Sequence, residues 1–287
     1  MNFLALTLVT VAVLVGVTER KRPQAVGNDV YALSKVGDRA GVKWVESTCG
    51  VCEMCSNGFD QVQCLDVVHH AIEVADGVTD EEADPIMCGG FSAYAACKRT
   101  EVKPGEWLVI LGAGRGVGHF ALQYAMAMGI RVIAVDRGRE KEQMCRRLGA
   151  DRFMDSSKDF VAEVMRITTY GAHAVLLAAP SKEAYDLAPH TLKFRGTMVA
   201  LSIPKYPTII AGSSAALIIG KKLSIIGSLV GTKRETDEAL DFAARGLIYP
   251  VLTKGTLYDL DRFCDLLQAG KVPGRVVIKV STQSLRK

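Results

Sequence analysis

The sequence predicts an α/β protein built on a doubly wound parallel sheet. Three observations lead there. Short, wholly apolar runs such as WLVIL (107–111) and RVIAV (131–135) suit strands covered on both faces. Stretches with helical apolar spacing separate them, HFALQYAMAMG being the first. The junction between the first run and that helix is the glycine-rich GAGRGVG (112–118).

The elements follow in order. Residues 3–17, FLALTLVTVAVLVGV, are uncharged and apolar, but fewer than the ~20 that span a bilayer as a helix. No basic segment precedes this run and no small-x-small cleavage site follows it. A buried strand is the plainer reading, with a signal anchor as the alternative. Residues 24–43 read as loops and short strands, punctuated by Gly-Asp and Ala-Gly. After a cysteine-rich loop come a strand, an acidic helix start and a helix over 88–98, closed by the turn at Pro104-Gly105. Strand–helix alternation then sets in, with strands at 107–111, 131–135, 152–154, 173–178 and 196–201. The helices between them are the one after the glycine turn and those at 139–148, 157–168 and 181–192. SIIGSL (224–229), a helix over 234–246 and a closing strand at 275–280 complete the pattern.

Composition narrows the function classes. At 49% hydrophobic and 23% charged, the 287-residue chain is of ordinary globular composition and long enough for two domains. A net charge of +4 with interspersed signs, and no basic stripe with interleaved aromatics, gives no support to nucleic-acid binding. Eight cysteines are too few for a disulfide scaffold, and a reducing, cytoplasmic location is expected.

The glycine turn carries the first chemistry. Gly112, Gly114, Gly116 and Gly118 sit where a strand becomes a helix, although Val117 departs from strict G-x-G-x-x-G spacing. Glycines allow a tight bend and close backbone approach to a pyrophosphate at a helix N-terminus. Asp136 closes the second strand 24 residues after Gly112, near the ~20-residue offset of a ribose-binding acid. Its carboxylate accepts from both ribose hydroxyls and repels a 2′-phosphate, which favours NAD; Arg137 and Arg139 nearby soften that preference.

The second chemistry lies in TCGVCEMCSNGFDQVQC. Cys49, Cys52, Cys55 and Cys64 follow Cys-x2-Cys-x2-Cys-x8-Cys, four soft ligands suited to tetrahedral zinc. A closed four-thiolate site has no open position, so the metal is expected to be structural. Of the four cysteines outside the cluster, Cys97, Cys145 and Cys264 read as small buried hydrophobes. His69 and His70 read as solvated, and His119, His173 and His190 as packing or surface residues. Tyr94 is expected to pack on its own helix, and KRETDE (233–238) to begin one.

Together GDRAGVKWVESTCGVCEMC, the glycine turn ending at Asp136, and SIIGSLVGTKRETDEALDFAARGLI resemble the zinc-dependent, yeast-type alcohol dehydrogenases of the medium-chain dehydrogenase/reductase superfamily. The resemblance runs from about Gln24 to Val280. It implies a Rossmann domain joined to a GroES-like β domain carrying the zinc lobe, with oxidation of alcohols by NAD. On that basis 24–90 is expected to be an incomplete GroES-like domain, 91–250 the Rossmann domain and 251–287 a return segment, with 1–23 unassigned. The resemblance also implies cofactor roles for Gly112, Gly114, Arg115, Gly116, Val117 and Gly118, for the ribose pair Asp136 and Lys141, for Ile203 and Leu229 beside the nicotinamide, and for Arg275. Arg115 stands where relatives commonly have glycine. The zinc lobe of the family matches the four clustered cysteines with a final spacing one residue longer.

One part of the pattern is broken. The catalytic zinc of the family is held by a cysteine and a histidine of the N-terminal domain and by a later cysteine. Cys88, in PIMCGG, matches the last; no G-H-E-x-x-G stretch occurs and no cysteine precedes Cys49. The first part of the catalytic domain is therefore expected to be missing or replaced by the apolar run. The expected activity is interconversion of an alcohol and an aldehyde or ketone with NAD, by a homo-dimer or tetramer away from membranes. The alternative is an inactive NAD-binding or scaffold protein derived from the family. A zinc-independent reductase of the superfamily is disfavoured by the retained cysteine lobe.

Overall fold

The computed structural model describes residues 40–41, 72–73, 76–204 and 214–279. The apolar run, the four-cysteine loop, and His69 and His70 lie outside the described residues. The chain divides into two compact units: one comprises Ala96–Ser228 and Pro250–Lys287, the other the described residues before Ala96 with Leu229–Tyr249.

The first unit holds a six-stranded parallel sheet: β1 (Trp107–Leu111), β2 (Arg131–Asp136), β3 (Arg152–Asp155), β4 (Ala172–Leu177), β5 (Leu192–Ala200) and β6 (Ser224–Gly227). Their spatial order is β3-β2-β1-β4-β5-β6, the two-halved Rossmann order that reverses between β1 and β4. All five residues of β1 are buried, as the apolar run predicts for a strand covered on both faces. One face packs Val109, Leu111, Ile133, Val135 and Val175 against Phe160, Val164 and Tyr185. Phe120, Leu122 and Tyr124 of the helix after the glycine turn are also fully buried.

The helices of the described residues are α1 (Asp80–Pro85), α2 (Phe91–Arg99), α3 (Gly118–Ala127), α4 (Arg139–Arg147), α5 (Phe160–Thr168), α6 (Lys182–Leu187), α7 (Ala215–Lys221), α8 (Lys233–Ala244) and α9 (Leu260–Gln268). Two predicted boundaries move for local reasons. The helix expected from 157 starts at Phe160, because Asp155 accepts from the Ser157 amide and hydroxyl at 2.8 and 2.6 Å. That bonding offers the backbone a turn instead of a helix. Asp159 then caps α5 through the Ala162 amide at 3.0 Å. The helix expected over 181–192 ends its α part at Leu187 and continues as a 3₁₀ turn, Ala188–Thr191, whose Pro189 lacks an amide donor. Near the C-terminus, β7 (Leu252–Thr256) pairs in parallel with β8 (Arg275–Lys279), outside the main sheet. β8 is among the elements expected from the sequence; β7, α7 and α9 are not.

In the second unit, Thr79 and Glu82 form a capping box that starts α1, and a π-helical turn, Ile86–Gly90, links it to α2. Ala40–Gly41 pairs antiparallel with Ile72–Glu73. Tyr94 does more than pack on its own helix: its hydroxyl donates to Glu238 of α8 at 2.7 Å, and its ring tilts against Phe242. KRETDE does begin α8, capped by Thr232 with Glu235.

Candidate cofactor site

The site forms where β1 gives way to α3, at the carboxyl ends of the strands and at the point where strand order reverses. Gly112 opens the bend with φ +85°, and a Cβ there would lie 2.7 Å from the Ala179 nitrogen. Its amide and that of Ala113 both donate to the Val135 carbonyl, at 2.8 and 3.2 Å. Gly118 seats the helix on the strand: a Cβ there would come within 2.0 Å of the Gly112 oxygen. Between them the Arg115 amide donates to Gly112 O at 3.1 Å. The amides of Gly116, Val117 and Gly118 have no partner among the described residues. Three unpaired donors at the positive end of α3 form an anion-binding edge.

Asp136 borders that edge. Its side chain is buried; Oδ2 accepts from the Gly114 amide at 2.9 Å, while Oδ1 accepts from the Arg137 amide at 2.8 Å and from Lys141 Nζ at 3.0 Å. A carboxylate has about four acceptor positions, so one remains on Oδ2. Lys141, whose side chain is 9% exposed, lies over Gly114, where its Cβ would be 2.7 Å from an added methyl. A cleft of about 220 Å³ opens beside this pair, lined by Gly112, Asp136, Arg137, Ser156, Ala179 and Leu187 among others. Arg115 also lines it, and its guanidinium extends toward Gly270. Arg275 crosses the turn, Nε donating to Gly116 O at 3.1 Å. The glycine turn, Asp136, Lys141 and Arg275 are thus brought together in one unit.

The residues expected beside the nicotinamide follow the points where the sheet ladder runs past its strands. The Ser202 amide donates to Leu177 O at 3.0 Å and that of Ser228 to Ala200 O at 2.8 Å. Ile203, next to Ser202, is 78% exposed, and Leu229, which begins the second unit's later segment, is 54% exposed.

The residues expected to ligate metal stand differently. Cys49, Cys52, Cys55 and Cys64 lie outside the described residues. Cys88 is half-buried in the π-helical turn, its carbonyl accepting from the Ser92 hydroxyl at 2.6 Å. Among the described residues no group of three His, Cys, Asp or Glu lies close enough to hold a metal ion. Cys88 alone does not fit a catalytic zinc ion, which takes three protein ligands. Cys97 and Cys145 are buried, as the sequence suggests, and burial pushes both thiols up to about 12. Cys264 is half-buried on α9.

The residues missed as partners of the turn are His119 and Gly274. His119 is fully buried, with Nδ1 3.1 Å from Arg115 O and Nε2 accepting from the Val251 amide at 3.2 Å. Burial pushes its ring down to about 3. The Gly274 amide reaches Gly114 O at 3.4 Å.

Comparison with known proteins decides the family. The chain is 38% identical over 267 residues to alcohol dehydrogenase 1 of Emericella nidulans, covering 86% of this chain and 76% of that protein. The chain belongs to the zinc-dependent alcohol dehydrogenase family. Membership makes it an alcohol oxidoreductase. The alcohol dehydrogenase of Schizosaccharomyces pombe is 37% identical over 269 residues, with 86% and 75% coverage. The zinc-binding dehydrogenase family model matches residues 116–245. Among solved structures, the alcohol dehydrogenase of the archaeon Aeropyrum pernix superimposes with a TM-score of 0.79 at 27% identity, covering 89% of this chain and 79% of that one. A structure described as an NAD-dependent alcohol dehydrogenase gives 0.74 at 25% identity, with 86% and 77% coverage. Within this dehydrogenase the family match opens at Gly116, in the second half of the glycine turn, and Asp136 and Lys141 lie inside it.

Proposed function

We propose that this alcohol dehydrogenase interconverts a small alcohol and its aldehyde or ketone with NAD as the hydride acceptor, and that Gly112–Gly118, Asp136, Lys141 and Arg275 hold the dinucleotide. The observation that carries the reading is one glycine turn that leaves three amides unpartnered at the start of α3 and donates its Gly114 amide to Asp136, whose open acceptor borders a cleft. The amides of Gly116, Val117 and Gly118 bind the diphosphate, and Arg275 adds positive charge beside Gly116. Asp136 accepts from the adenosine ribose and disfavours a 2′-phosphate; Lys141 fixes its carboxylate. Ile203, in the first unit, is assigned to the nicotinamide half. NAD, when bound, supplies the acceptor for the hydride of the alcohol carbon.

Zinc belongs to the reading on the donor chemistry of the sequence: Cys49, Cys52, Cys55 and Cys64 hold one structural ion. Cys88 is the residue that corresponds to a catalytic-metal ligand. Homo-oligomerisation through the sheet edge is supported by β6, a terminal strand with Ile225 40% exposed, and by Ile219 of α7, 74% exposed. A cytoplasmic location accords with the reducing chemistry of the clustered thiols; among the described residues no helix is long and apolar enough to cross a membrane.

The test is a steady-state assay of NAD reduction with short primary and secondary alcohols, combined with metal analysis. Turnover with NAD and about one zinc per chain or more are expected. No turnover with any alcohol would overturn the catalytic reading, and a zinc-free active chain would overturn the role given to the cysteine lobe.

A further inference from the structure

We infer that His119 is a positioning residue for the cofactor: its ring holds the Arg115–Gly116 peptide so that the amides along the turn face the diphosphate. This rests on the dinucleotide reading above and adds a residue to it.

Both nitrogens of the His119 ring have a backbone partner. The Val251 amide is only a donor, so Nε2, 3.2 Å away, carries the lone pair. Nδ1 therefore carries the hydrogen and donates to Arg115 O at 3.1 Å. Arg115 O also accepts the His119 backbone amide at 3.0 Å, so both its lone pairs are engaged. The next carbonyl, Gly116 O, accepts Arg275 Nε at 3.1 Å. Arg275 N donates to Val251 O at 2.8 Å, which closes a loop of contacts through Val251, His119, Arg115, Gly116 and Arg275.

The consequence follows from peptide geometry. In a trans peptide the C=O and the N–H of the next residue point in opposite directions, and no described peptide is cis. Holding Arg115 O on His119 and Gly116 O on Arg275 therefore points the Gly116 and Val117 amides away from those partners. Those are two of the three amides without a partner among the described residues. A ring buried to 0% exposure stays neutral through the pH range of ordinary assays, so the donor–acceptor assignment persists.

The test uses the full chain, with ADP-ribose and adenosine as probes of the site with and without a diphosphate. His119→Phe is expected to weaken ADP-ribose about tenfold while adenosine changes less than about twofold. His119→Asn places an amide near the Nδ1 position, can donate to Arg115 O and cannot reach Val251; it is expected to bind ADP-ribose close to wild type. His119→Gln reaches toward Val251 but not Arg115 O, and is expected to resemble the Phe variant. Equal weakening of both probes, or equal ADP-ribose affinity in the Asn and Gln variants, overturns the inference. Should the Phe variant fail to fold, the Asn–Gln comparison decides it. Wild-type chain that binds no ADP-ribose overturns the dinucleotide reading and this inference together, a result distinguishable from normal wild-type binding with unaltered variants.

Discussion

Gly118→Ala is expected to destabilise the first unit by about 3 kcal/mol and to abolish measurable NADH binding. A Cβ at this position would sit 2.0 Å from the Gly112 oxygen and 2.8 Å from Ala113 Cα. Both obstacles are backbone, so no side chain can rotate away. Relief requires α3 to withdraw from β1, which carries the unpaired amides out of register with Asp136. Gly220, in α7, is the matched control: a Cβ there meets nothing within 4 Å. Gly220→Ala should leave NADH binding unchanged and stabilise the helix by roughly 0.5–1 kcal/mol. Urea unfolding followed by circular dichroism, with NADH fluorescence on the same samples, separates the two. A Gly118→Ala chain as stable as wild type would show that the turn tolerates a wider helix–strand spacing.

Asp136→Ala is expected to cost ~3–5 kcal/mol of stability, because it strips a buried ammonium of its only carboxylate partner among the described residues. Lys141 Nζ lies 3.0 Å from Oδ1, with the two side chains 9% and 4% exposed. The substitution also leaves the Gly114 amide without its acceptor. Replacing Lys141 as well, in Asp136→Ala/Lys141→Met, should recover much of the loss, since the uncompensated charge is gone. Cofactor binding should not recover: both variants are expected to lose at least about tenfold in NADH affinity and to lose the preference over NADPH. Equal stability of the single and double variants would mean that the Lys141 ammonium finds water in place of Asp136.

How much of this was legible depended on the range of the interactions. The strands β1, β2 and β4 are readable because burial on both faces makes them nearly continuous apolar runs, and the glycine turn because a bend and its helix are contiguous in sequence. The approach of Asp136 to the turn is legible because its distance along the chain is set by one helix and one strand. The elements that escaped have other origins. β7 is LTKGT, polar and glycine-bearing, and becomes a strand only by pairing with β8. The helix α9, LDRFCDLLQ, does carry a helical apolar spacing at Leu260, Phe263, Cys264 and Leu267, and that signal was available. His119 had none: its second partner, Val251, is 132 residues away. The start of α5 was misplaced because Asp155 bonds to Ser157, a local competition that apolar periodicity does not register.

The central claim is that the bend at Gly112–Gly118 and the carboxylate of Asp136 receive a nicotinamide dinucleotide without a 2′-phosphate. Fluorescence titration of the full chain with NADH and then NADPH tests it most directly. One NADH per chain with saturable binding, and NADPH weaker by at least about tenfold, is the result predicted. No binding of NADH, or NADPH bound as tightly, would contradict it.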